Sequence, residues 1–96
     1  MNEMTKVLLA QNKPNEEEVT EAESKMAELR SLRNNVELKL LLNAKTKEND
    51  KKIQAAMKQA RENEEKLYTF FKNDMISFTV FKDSVEFRLN SLREYL

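Results

Sequence analysis

Not one glycine occurs among the 96 residues, and Pro14 is the single proline. Average usage of about 7% would supply several glycines. Without them the chain lacks the usual residues for type I′ hairpin turns, phosphate-cradling loops and close backbone approach to a ligand. The chain is instead rich in Ala, Leu, Glu, Lys, Gln and Arg, the residues with the strongest helix propensity. The fold expected is therefore all-α.

Pro14 and Asn15 divide a short N-terminal segment, 1–14, from a helical region, 15–96. Within the segment, Met4, Val7 and Leu8 suit one side of a short helix. Asn15 and Glu18 have capping-box spacing, and Glu16, Glu17, Glu18, Glu21 and Glu23 complement the positive end of a helix dipole. Val19, Ala22, Met26, Leu29, Leu32 or Arg33, Val36 and Leu40 then recur at steps of three and four, the seam of an amphipathic helix A over 15–44. Leu38, Leu41 and Leu42 widen its stripe. Residues 45–49 read as a turn, with Asn able to take a left-handed backbone and Thr46, Asn49 or Asp50 able to cap the next helix. One unbroken helix through this point is the competing reading.

Helix B, 50–96, carries Ile53, Met57, Ala60, Glu64, Leu67, Phe71, Met75 or Asp74, Phe78, Phe81, Val85, Leu89, Leu92 and Leu96 on one stripe. Folded back antiparallel, the pattern sets Leu40 against Ile53, Val36 against Met57, Leu32 against Ala60, Ala22 against Phe71 and Val19 against Met75. Large residues oppose small ones, as close packing requires. The expected architecture is a long antiparallel helical hairpin with coiled-coil character. Helix B would outrun helix A by some 25 Å at 1.5 Å per residue. Either the chain breaks near 73–74 or 83–84 and returns as a third helix, making a three-helix bundle, or the overhang packs on another subunit.

All five phenylalanines, Phe70, Phe71, Phe78, Phe81 and Phe87, fall within one 18-residue stretch toward the C-terminal end of helix B. Leu67, Phe70, Phe71, Met75, Phe78, Phe81, Val85, Leu89, Leu92 and Leu96 form one broad apolar stripe, while Ile76, Val80 and Phe87 form a second on the opposite side. A helix apolar on two faces needs two partners. The rings are then core, a protein interface, or a membrane contact. Membrane contact is disfavoured because an interfacial helix wants a basic polar face, and residues 67–96 hold four basic and four acidic groups. The interface candidates are Phe70, Phe71, Ile76, Phe78, Val80, Phe81, Val85, Phe87, Leu89 and Leu92. The run 76–81 is also β-prone, and exposed it would invite aggregation.

The chain has neither His nor Cys, which removes Ser/His/Asp triads, Cys/His dyads, disulfides, thiolate or imidazole zinc sites and the Glu-x-x-His di-iron pattern. No catalytic residue, cofactor or metal is expected. The carboxylate pair Glu17/Glu21 sits on a surface where nothing would perturb it. Seventeen basic and seventeen acidic residues cancel, so no long-range field draws the chain to nucleic acid or anionic lipid. Lys45, Lys47, Lys51 and Lys52 cluster at the turn, but Glu48 and Asp50 interleave them and no aromatic stands by to stack a base. The longest uncharged run, 75–81, is far short of the ~20 residues that span a bilayer. The N-terminus does not read as a signal peptide.

The expected function is thus non-catalytic protein–protein interaction: a self-associating assembly, scaffolding or adaptor module, with a homo-oligomer or a foreign protein as partner. The alternative is a small regulator that occludes a partner enzyme through an amphipathic helix. A cytoplasmic location is expected, in a host cell or a virion interior. The surplus of Lys, Asn and Glu is typical of AT-rich coding sequence and suits a bacteriophage or mobile element.

Overall fold

The computed structural model describes residues 14–96 as three helices: α1, Glu16–Leu42; α2, Lys47–Lys72; and α3, Phe78–Arg93. The reading of Met4, Val7 and Leu8 as a helix lies outside the described residues. No strand occurs among the described residues, and the helices form a bundle.

Each helix starts on a polar cap. The Glu18 N–H donates to Asn15 Oδ1 at 2.8 Å and the Asn15 N–H to Glu18 Oε1 at 3.2 Å, the reciprocal box that the spacing implies. Thr46 accepts from the Asn49 N–H at 3.1 Å to open α2. The turn thus occupies 43–46, slightly earlier than expected. Asn43 stays at φ −96°, not left-handed, and its side chain donates back to the Lys39 carbonyl at 3.0 Å.

The 26-residue α2 ends at Lys72, so helix B is two helices, and its break is the one near 73–74. Asp74 takes φ 62°, the one positive φ among the described residues. Its N–H donates to the Phe71 carbonyl at 3.2 Å, and the Met75 N–H reaches the Phe70 carbonyl at 2.8 Å. These two bonds make a Schellman cap, normally built on glycine. Ser77 then caps α3, accepting from the Val80 N–H at 3.1 Å. The alternative break at 83–84 is not used: Asp83 and Glu86 lie inside α3. Asp74→Gly is expected to stabilise the bundle by roughly 0.5–1 kcal/mol, a left-handed L-residue costing about 1–2 and glycine's extra unfolded-state freedom returning part. A raised midpoint in urea checks this, and an unchanged one would show that the turn carries no strain.

α3 runs parallel to α1 and antiparallel to α2. Lys25 pairs with Glu86, Glu28 with Arg93 at 3.0 Å, and Lys39 donates to the Tyr95 carbonyl at 2.6 Å, so numbers rise together along α1 and α3. The buried apolar core is Ala22, Met26, Leu29 and Val36 from α1, Phe71 from α2, and Phe81, Val85, Leu89 and Leu92 from α3. Val19, Leu32, Leu40, Leu67, Tyr68, Ile76 and Phe78 pack on its edge. At the α2–α3 corner Phe71 stacks on Phe81 with centroids 5.0 Å apart, and Phe78 lies 5.6 Å from Phe71. The overhang therefore folds back on its own chain.

Three details of the expected hairpin change. Arg33, not Leu32, holds the buried seam position, because Glu64 faces it from α2. Arg33 Nε donates to both Glu64 carboxylate oxygens at 2.8 Å, and its Nη2 adds a further bond. Met75 is 65% exposed, so it does not meet Val19: the chain has already left the helix. Leu38 and Leu42 do not widen the packed stripe either. Both are exposed where α1 approaches the hairpin tip.

Candidate interaction surface

The ten interface candidates separate into three groups. Phe71, Phe81, Val85, Leu89 and Leu92 are buried within the single chain, so in the folded bundle they present no surface to a partner. One apolar stripe of a helix wraps onto the nearest large apolar surface, and α1 supplies it. Ile76 and Phe78 are half-buried against that core. Phe70, Val80 and Phe87 remain exposed, Val80 at 50% and Phe87 at 74%. Phe70 belongs to α2, whereas Val80 and Phe87 lie on the outer side of α3.

That outer side is built by helical spacing. At 100° per residue the core positions Phe81, Val85, Leu89 and Leu92 span one sector, and Val80, Ser84, Phe87 and Ser91 occupy another roughly 130° away. Asp83 flanks this second stripe on one side and Arg88 on the other. A depression of about 460 Å³ lies along it, lined by Asp83, Ser84, Phe87 and Arg88. Toward α2 the surface continues into a groove of about 270 Å³ bordered by Phe87, Ser91 and Tyr95, with Val36, Met57 and Leu92 at its base. The serines, the aspartate and the arginine of this face are not among the candidates that apolar patterning selects. The steps of four, three and four from Val80 to Ser91 are the signal that would have found the serines.

Ion pairs and a hydrogen bond also link the helices to one another. Hydrogen bonding from Arg30 lowers the Glu65 carboxyl below its ordinary value, and Lys25 does the same to Glu86. Burial, reinforced by the Glu23 charge, raises the Tyr68 phenol. These are inter-helix pairs at the surface, worth little individually. Arg88 Nη1 stands 3.9 Å from Glu64, whose oxygens Arg33 already engages, so much of its guanidinium stays available.

The remaining polar clusters of the sequence stay dispersed. Glu17 and Glu21 are both exposed, as are Lys45, Lys47, Lys51 and Lys52, with Lys52 3.6 Å from Glu48. Among the described residues no group of three acidic, His or Cys side chains could hold a metal ion, and no helix is long and apolar enough to cross a membrane. Compared with protein-family models, curated proteins and solved structures, the chain matches none.

Proposed function

We propose that this chain is a non-catalytic helical interaction module of the assembly, scaffolding or adaptor kind, which self-associates through the outer face of α3. The observation that carries the reading is Phe87, 74% exposed on a helix whose other apolar face is already packed. A large ring held in water on an ordered helix, with Val80 two turns before it, forms an apolar patch of the sort that marks an interface. The even charge balance favours a protein partner over nucleic acid. A cytoplasmic setting and a phage or mobile-element origin belong to the same proposal, the origin supported by the Lys, Asn and Glu surplus.

Light scattering over a concentration series tests this. The wild type is expected to exceed its monomer mass of 11.3 kDa as concentration rises. The double variant Val80→Ser/Phe87→Ser is expected to stay monomeric with unchanged helicity, since both side chains point away from the core. Ile76 is left in place because it packs on that core. A wild type that remains monomeric throughout would overturn self-association. It would turn attention to the second reading, in which the same α3 face is laid into the groove of a partner enzyme and occludes it.

A further inference from the structure

We infer that the second copy docks in parallel, α3 beside α3, with Asp83 of each copy facing Arg88 of the other. The inference rests on the self-association proposed above and specifies its geometry. Val80, Ser84, Phe87 and Ser91 succeed one another at steps of four, three and four, so they fall within one sector of about 60° on α3. That is the alternation of a coiled-coil seam, and Asp83 and Arg88, five residues apart, occupy its two flanks.

Orientation comes from those flanks. When two identical helices pair in parallel about a two-fold axis, the left flank of one meets the right flank of the other, and residues five apart come together. Asp83 then faces the other copy's arginine twice over. Antiparallel pairing brings like flanks together, setting Arg88 against Arg88 and leaving Asp83 near Asp83 or Asn90. Charge thus selects the parallel arrangement. Packing agrees with it: the small Ser84 and Ser91 layers lie on either side of the Phe87 layer, giving two apposed rings room beside the depression between Asp83 and Arg88. Asp83 is exposed, and Arg88 keeps donors beyond its 3.9 Å approach to Glu64.

The absence of cysteine from the chain makes the test direct. Ser84→Cys places one thiol at the axis of a parallel pair, within disulfide reach of its own copy. Mild oxidation is expected to convert most of this variant to a covalent dimer, while Glu17→Cys at the exposed start of α1 stays monomeric on a non-reducing gel. Asp83→Arg is expected to weaken dimerisation by about tenfold, two attractive pairs having become two repulsive ones. Circular dichroism of each variant reports that the bundle is intact. A wild type that dimerises while Ser84→Cys fails to cross-link and Asp83→Arg changes nothing overturns the parallel α3 pairing and leaves self-association standing. A wild type that never dimerises removes both.

Discussion

Glu64→Leu, with Arg33 left in place, is expected to destabilise the bundle by about 3–5 kcal/mol, the usual cost of stranding one charge of a buried pair. Arg33 and Glu64 are 6% and 2% exposed, and their side chains are joined by several hydrogen bonds between α1 and α2. Removing the carboxylate leaves a guanidinium among Val36, Met57 and Leu92, with the weakly accepting Met57 sulfur as its neighbour. The reverse change, Arg33→Met, is expected to cost less, because Arg88 already stands 3.9 Å from Glu64 and swings in to neutralise it. The double variant Arg33→Met/Glu64→Leu should recover most of the loss or exceed the wild type, since a well-packed apolar pair escapes the desolvation cost. Urea unfolding of the four proteins, compared at constant slope, measures all three differences. A double variant as unstable as Glu64→Leu would assign the pair a role in helix register that apolar packing cannot supply.

The second large effect is at the aromatic corner. Phe81→Ala should cost about 3–5 kcal/mol, the transfer of a buried ring plus the cavity it leaves. Set against the ~5–15 kcal/mol by which a domain is normally stable, that is enough to unfold much of the population. Phe81 is fully buried, stacks on Phe71 at 5.0 Å and lies 6.1 Å from Tyr68, so it is the point where α3 grips α2. A double-mutant cycle with Phe71→Ala should return a coupling of about 0.5–1.5 kcal/mol beyond the burial of the two rings. Met75→Ala, four residues past Phe71 in the exposed link, serves as the contrast and should stay within about 0.5 kcal/mol of wild type. Were Phe81→Ala as mild as Met75→Ala, α3 would be held by something other than this corner.

Much of the fold is legible because it rests on local rules. The Asn15/Glu18 box, the Thr46 cap and the 3.6-residue seam each depend on groups within one or two turns of each other, and all three are present. Legibility fails where two choices obey the same local rule. Leu32 and Arg33 fit the seam equally by spacing, and only Glu64, 31 residues further along the chain, makes a buried arginine tolerable. Asp74 is a less usual residue for a left-handed turn than glycine, so the sequence marks the break without revealing its Schellman geometry. The Ser77 cap is hidden too, because a break near 83–84 satisfies the same local pattern further on. At the candidate surface, ten apolar residues look alike as interface. Burial of Phe71, Phe81, Val85, Leu89 and Leu92 inside the chain separates core from exposed face.

By itself the sequence determined that the described chain is helical, where α1 begins, and that it carries no imidazole or thiol. A glycine-free backbone with no imidazole or thiol leaves few alternatives, and those constraints act residue by residue. The tertiary structure decided which apolar face of α3 packs inward, that the overhang returns parallel to α1, and that Arg33 lies buried. Each of those outcomes is a comparison between contacts of residues far apart in the chain, and periodicity, which relates only near neighbours, assigns the competing faces the same rank.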